Sequence, residues 1–252
     1  MSSLSGKVAL VTGSSRGIGE AIARLFAEHG AKIVVHGRDV AALSAVRSDI
    51  ERAGGIAMQV IGDVTKFSEI EEIRRSIEQK FGPVDVLVVN AGGTTTFPGA
   101  LEDISEEAWR ETVDGNLTAT FLTIKSFLPG MKQRKTGNII TISSTAGRRP
   151  HSRSPIPYSA AKAGIQLLTQ DVANQAGPFG IRANCIAPET ILTERNEQRI
   201  PPNQKEALVD AHPIRRLGTP QDVAQAALFL ASDDSAWITG VVLDVTGGGF
   251  MA

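Results

Sequence analysis

Cysteine is nearly absent from the 252 residues. Cys185 stands alone, which excludes an intrachain disulfide and a cluster of thiolate metal ligands. It lies in the apolar run Ala183–Ala187, the setting of a small core residue rather than of a nucleophile. Neither sign of charge prevails: Lys and Arg number 26, Asp and Glu 27. The chain therefore lacks the basic footprint expected for nucleic acid or an anionic membrane. No apolar run approaches the roughly 20 residues of a membrane span. The opening Met-Ser-Ser-Leu-Ser-Gly-Lys carries no apolar signal region. Repeats and low-complexity tracts are missing, and no metal-ligand set stands out. Tyrosine is as scarce as cysteine, one against nine phenylalanines. What is plentiful is apolar residues, at 42%, enough for a sizeable core without a staple. These features predict a soluble, cytoplasmic chain forming one domain over residues 1–252.

The rest of the pattern alternates short apolar runs with amphipathic stretches. Runs at Val8–Val11, Ala31–His36, Ala57–Ile61, Val84–Val89, Asn138–Ser143, Arg182–Ala187 and Val241–Val245 read as buried strands. Stripes such as Ile18, Ile22, Leu25, Phe26 and Leu43, Val46, Ile50 read as helices. Asp103-Ile-Ser-Glu106 resembles a capping box opening a helical stretch to about Lys135, with Gly115-Asn116 as a kink inside it. Thr219-Pro-Gln-Asp222 is a second box. Such alternation predicts an α/β fold, a doubly wound parallel sheet of about seven strands with helices on both faces. Ligands should lie outside the carboxyl ends of the strands. Glu189–Gly218 breaks the rhythm; long and polar, it starts on the ligand side and reads as a substrate lid over about 189–218.

Between the first strand and first helix stand Gly13, Gly17 and Gly19. Bare backbone there permits a tight turn and close approach of a pyrophosphate, whose charge the N–H groups of the helix start can hold. A second constellation is Tyr158-Ser-Ala-Ala-Lys162. Residues four apart share a helix face, so phenol and ammonium lie close. A nearby cation favours phenolate and makes the phenol a usable general acid or base.

Together these residues resemble the short-chain dehydrogenases/reductases in their single-domain form. The resemblance runs from Lys7 to Gly248. It rests on Thr12-Gly-Ser-Ser-Arg-Gly-Ile-Gly19, Asn90-Ala-Gly92, Asn116, Ser144-Thr-Ala-Gly147, Tyr158-x-x-x-Lys162, Ile238-Thr-Gly240 and Gly247-Gly248. It implies Tyr158 as proton donor, Ser144 as hydrogen-bond partner of the substrate oxygen, Lys162 on the nicotinamide ribose and Asn116 in a water-linked relay. It implies cofactor contacts from Thr12, Gly13, Ser15, Arg16, Gly17, Ile18 and Gly19. Asp63 and Val64 would meet adenine, and Asn90, Ala91 and Gly92 the adenosine ribose. Pro188, Ile191 and Thr193 would reach the carboxamide. A homotetramer is also implied, and Phe121, Leu122, Ile124, Phe127 and Leu128 are compatible with its contact surface.

The end of the second strand reads His36-Gly37-Arg38. Gly37 stands where an NAD enzyme wants a carboxylate, and Arg38, helped by Arg16, can hold a 2′-phosphate. NADP(H) is expected over NAD(H). Glu189 replaces the family's glycine after Pro188, and the loop Arg148–Arg153 carries three arginines and His151. That loop is either an anion-recognising substrate wall or a solvated or subunit-contact loop. The expected activity is NADPH-dependent reduction of a ketone, nearest by resemblance to 3-oxoacyl-[acyl-carrier-protein] reductases. Phe179 stands where several of those carry a basic docking residue, and Arg134 is the remaining candidate. Two alternatives stay open: an alcohol, sugar or hydroxy-acid dehydrogenase working in the oxidising direction, and a nucleotide-sensing regulator without chemistry.

Overall fold

Strands buried on both faces need apolar side chains at successive positions, and this chain supplies them. The computed structural model describes residues 3–251. Its strands are β1 (Val8–Val11), β2 (Lys32–Gly37), β3 (Ile56–Ile61), β4 (Val86–Val89), β5 (Gly137–Ile142), β6 (Ile181–Pro188) and β7 (Val242–Val245). They form one sheet in the order β3-β2-β1-β4-β5-β6-β7, with every pair parallel. Successive side chains point to opposite faces. Ala9 and Val11 enter one core layer with Phe26, Leu43 and Val223, while Val8 and Leu10 enter the other with Ile73, Ile77 and Phe127. Each fully buried large side chain contributes about 1.5–3 kcal/mol.

Helices α1 (Gly17–Glu28), α2 (Val40–Arg52) and α9 (Pro220–Ala231) supply the first layer. Helices α3 (Phe67–Lys80), α5 (Ala119–Arg134) and α6 (Ile156–Ala176) supply the second. Two helix starts follow their sequence signals. Asp39 accepts from the Ala42 N–H at the head of α2, and Thr219 and Asp222 form a complete capping box on α9.

One cap differs from expectation. Leu101–Asp103 is a short 3₁₀ turn, and Ser105, not Asp103, caps α4 (Glu106–Val113) by accepting from the Ala108 N–H. The helical stretch is then broken at Asp114–Thr118 by a π-helical turn carrying Gly115 and Asn116, before α5 begins. Of the residues compatible with a contact surface, Ile124 and Phe127 are 3% and 4% exposed in the core, Leu122 and Leu128 are half-buried, and Phe121 is exposed.

The neighbours of β1 are β2 and β4, so the strand order reverses there, and a ligand crevice opens at their carboxyl ends. Ile142 is level with Ile186 in the β5–β6 register, which brings Ser144 and Glu189 out at that same edge. The segment after β6 is tied at its base by an Ile191–Gly218 bridge. Between these residues it forms two short helices, α7 (Glu194–Arg199) and α8 (Pro202–Asp210).

Candidate active site

The β1–α1 turn is locked to the end of β4. The Thr12 hydroxyl accepts from the N–H groups of Asn90 and Ala91, each at 3.0 Å. Asn90 Nδ2 donates back to the carbonyls of Thr12 and Gly13 at 3.0 Å. Packing is so close that a Cβ on Gly13 would lie 2.8 Å from Ala91 Cα, and Gly13 and Gly17 hold φ of +64° and +61°. Only glycine suits both demands. α1 starts at Gly17 without a side-chain cap, leaving its first N–H groups open to an anion. Thr193 leans over this start: a Cβ on Gly17 would meet its Cγ2 at 3.3 Å. Ile18 packs against the core from the same turn. The bare cradle and uncapped helix start fit a dinucleotide pyrophosphate.

Beside the cradle, Ser15 packs against Gly37; a Cβ on Gly37 would lie 3.6 Å from Ser15 Oγ. Arg38 is exposed and near enough to Asp63 to help hold that carboxyl below its ordinary value, behind the larger effect of the Thr65 N–H. Asp63 Oδ1 accepts from the Thr65 N–H and hydroxyl, and Val64 packs on the core behind it. Arg16 is paired with Asp39 at 2.7 Å.

His36 was not among the expected site residues. It is 3% exposed. Its Nδ1 lies 3.3 Å from the Gly13 N–H and its Nε2 3.2 Å from the Gly62 carbonyl. That pairing fits only a neutral imidazole with its proton on Nε2. The ring ties the phosphate turn to the ends of β2 and β3. Burial lowers its pKa to about 4. Because the folded value is below the ordinary 6.5, the unfolded chain binds the extra proton first. Stability should therefore fall as pH drops from about 6.5 to about 4, by up to ~3 kcal/mol from this group. Urea unfolding at pH 7 and pH 4.5 should show a smaller loss for His36→Gln than for the wild type. Equal losses would remove His36 from the account.

At the end of β5 the two adjacent serines divide. The Ser143 hydroxyl is buried and donates to the Lys162 carbonyl at 2.8 Å. Ser144 caps the next turn by accepting from the Ala146 N–H and lies against the Tyr158 phenol. Tyr158 opens α6 after Pro155. Burial raises its pKa, more than the Ser144 hydroxyl and the Arg195 guanidinium lower it. Lys162 is 4% exposed. Its ammonium donates to the Ile142 carbonyl at 2.9 Å and sits 5.4 Å from the Tyr158 ring centre. Burial lowers its pKa to about 8. Asn116, fully buried in the π turn, donates to the carbonyls of Gly93 and Thr112 at 2.6 and 2.8 Å and accepts from the Gly93 N–H at 3.0 Å. It fixes the Gly92–Gly93 strand end; a Cβ on Gly92 would meet its Oδ1 at 2.6 Å.

The basic loop is less free than its sequence implies. Arg148 is paired with Asp244 of β7 at 3.1 Å. Arg149 donates to the Gly249 carbonyl at 3.0 Å and stacks over Phe250. Glu189, its side chain 7% exposed, meets His151 Nε2 at 3.2 Å and Arg149 at 3.9 Å. Burial opposes its charge, but His151, Thr145 and Arg149 outweigh burial and hold the carboxyl below its ordinary value. Arg195 of α7 also went unforeseen. It donates to the Thr94 carbonyl and reaches toward Tyr158. Its sequence signal was only a cation in a polar segment.

A parallel sheet whose switch point carries a glycine-lined cradle, next to a serine, tyrosine and lysine at one strand end, defines a dinucleotide-binding oxidoreductase of carbonyls and alcohols. Comparison agrees. The family described as enoyl-(acyl carrier protein) reductase matches residues 13–249. The 3-oxoacyl-[acyl-carrier-protein] reductase of Vibrio cholerae is 39% identical over 98% of this chain and 99% of its own. Glucose 1-dehydrogenase 2 of Bacillus subtilis is 36% identical over 97% and 95%. The crystal structure of a 3-oxoacyl-[acyl-carrier protein] reductase with bound NAD from Brucella melitensis superposes with a TM-score of 0.90 at 33% identity, covering 99% of this chain and 93% of that one. The chain belongs to the short-chain dehydrogenase/reductase family.

Proposed function

We propose that the chain interconverts a ketone and an alcohol with NADP(H), reduction being the working direction, and that Tyr158 donates the proton. The observation carrying this reading is the convergence of Ser144, Tyr158 and Lys162 beside the cradle. When bound, the cofactor supplies the hydride. Thr12, Gly13, Ser15, Arg16, Gly17, Ile18 and Gly19 would hold its pyrophosphate and adenosine, and Arg38 its 2′-phosphate. Asp63 and Val64 would meet adenine, Asn90, Ala91 and Gly92 the ribose behind it. Pro188, Ile191 and Thr193 would meet the carboxamide. Ser144 orients the carbonyl oxygen. Tyr158, kept protonated at neutral pH by burial, gives that oxygen a proton. Lys162, with a pKa of about 8, would hold the nicotinamide ribose and, while charged, lower the phenol pKa. Asn116 braces the floor on which the relay rests.

The relatives' names span carrier-bound and sugar substrates. Arg134 donates to the Val84 carbonyl at 2.8 Å, whereas Lys132 lies over the Phe179 ring, so a docking patch for an acidic carrier would rest on Lys132. A cytoplasmic homotetramer completes the proposal. No helix among the described residues is long and apolar enough to cross a membrane, and Phe121 and Leu167, 46% and 60% exposed, are surface an assembly would cover. The test is absorbance-monitored NADPH consumption with a panel of 3-oxoacyl thioesters and small ketones. Consumption with at least one is expected. Tight cofactor binding without turnover in either direction would favour the sensor reading instead.

A further inference from the structure

A cavity of about 270 Å³ opens between the Arg149–Arg153 loop, the end of β6, the end of α8 and the C-terminal Gly249. Two buried polar atoms on its lining have no hydrogen-bond partner among the described residues: Glu189 Oε2, which faces the Arg149 guanidinium at 3.9 Å, and His212 Nε2. His212 is 3% exposed. Its Nδ1 lies 2.6 Å from the Leu208 carbonyl. A carbonyl only accepts, so Nδ1 carries a proton and is engaged, and Nε2 is the nitrogen left without a partner. Glu189 is ionised and accepts from His151 through Oε1; Oε2 has the more distant Arg149 ion pair but no close hydrogen bond. Buried polar atoms of this kind are normally satisfied.

We infer that this cavity is a substrate subsite for hydroxyl groups, so that the carbonyl substrate is a polyhydroxylated ketone and its product a polyol. The inference rests on the oxidoreductase reading above and names its substrate class. Position supports it: Glu189 stands directly after β6 at the carboxyl edge of the sheet, where Ser144 also emerges, and Thr145, the neighbour of Ser144, helps hold its carboxylate. Charge supports it too. Arg149 is occupied by the Gly249 carbonyl and faces Glu189, so an incoming carboxylate would meet a buried anion. Arg153, the remaining loop guanidinium, is exposed at the rim, where water screens it. Size fits as well. The space of about 270 Å³ admits a small hydroxylated molecule. A hydroxyl both donates and accepts, so hydroxyls can bond Glu189 Oε2 and His212 Nε2; a methylene chain can bond neither.

The test uses three five-carbon ketones: xylulose, 2-pentanone and 4-oxopentanoate. kcat/KM should be at least about tenfold higher for xylulose than for either of the others. That ratio should fall about tenfold or more in Glu189→Gly, which restores the residue of the resembling family, and in His212→Phe, which keeps a ring. In parallel, saturation-transfer NMR should detect xylitol on the cofactor-loaded enzyme and lose it in Glu189→Gly. Preference for 4-oxopentanoate, or a ratio unmoved by both substitutions, overturns the inference. So does absent xylitol transfer with a ratio near one, the result expected of a cavity that holds water alone. If no ketone is reduced yet xylitol binds through Glu189, the subsite stands and the reductase reading fails. If neither occurs, the subsite falls as well.

Discussion

Tyr158→Phe should lower turnover by about 10²–10⁴, the usual contribution of a positioned general acid, while the Kd for the cofactor changes little. The substitution removes one hydroxyl from a ring already packed at the head of α6, so the cradle at β1 and α1 is untouched. Because Tyr158 is the only tyrosine, an ultraviolet titration reads this phenol alone. Burial dominates the unliganded site, so the phenol should titrate above its ordinary value. Adding oxidised cofactor brings a positive nicotinamide next to the ring and should draw the pKa below 10. Lys162→Ala should reverse part of that shift, by about one unit or more. The Lys162 ammonium is bound to the Ile142 carbonyl, so its effect on the phenol acts across 5.4 Å to the ring centre rather than through a hydrogen bond. Turnover that survives Tyr158→Phe, or a phenol indifferent to both cofactor and Lys162, would sink the proton-donor role.

Much of this was legible because it is local. Apolar runs became strands within one or two residues, and the Thr219–Asp222 box formed as its spacing required. The kink at Gly115-Asn116 was legible because two poor helix formers sit together in an apolar helix. Its consequence was not. The kink takes the form of a π turn, and its spacing does not say which residues of α5 face the core; Ile124 and Phe127 do. The cap at Ser105 was hidden by a competing signal two residues earlier, and local spacing does not choose between them. The least legible features join distant positions. His36 reads as a polar residue in an apolar strand until Gly13 and Gly62, 23 and 26 residues away, are brought to its two nitrogens. Glu189 reads as a departure from a family glycine until His151, 38 residues away, is placed against it. The Arg148–Arg153 loop is a converse case: three arginines in sequence leave both an anion site and a structural loop open, and only distant positions show that Asp244 and the Gly249 carbonyl already engage two of them.

Cofactor choice should turn on two residues. Wild type is expected to bind NADPH more tightly than NADH, and Arg38→Ala should remove about ten- to hundredfold of NADPH affinity, the value of one charge-assisted contact of about 1.5–3 kcal/mol. Arg16→Ala should cost less, because Arg16 is partnered by Asp39 at 2.7 Å and must be released before it can hold a phosphate. Asp39 in turn is fixed by capping α2. Gly37 offers the reciprocal change. Its φ is not in the left-handed region, and a Cβ there would make ordinary contacts of 3.6 Å with Leu43 and Ser15, so the backbone accepts a Cβ at this position. Gly37→Asp supplies the carboxylate that a ribose 2′-hydroxyl prefers and a 2′-phosphate repels. Combined with Arg38→Ala, it should invert the preference to NADH, read as Kd values from fluorescence titration of both cofactors. Both residues lie at the edge of the cradle, so affinity for the shared pyrophosphate end should persist in every variant. Wild type that prefers NADH, or an Arg38→Ala variant with unchanged discrimination, would show that the end of β2 does not read the 2′ position at all.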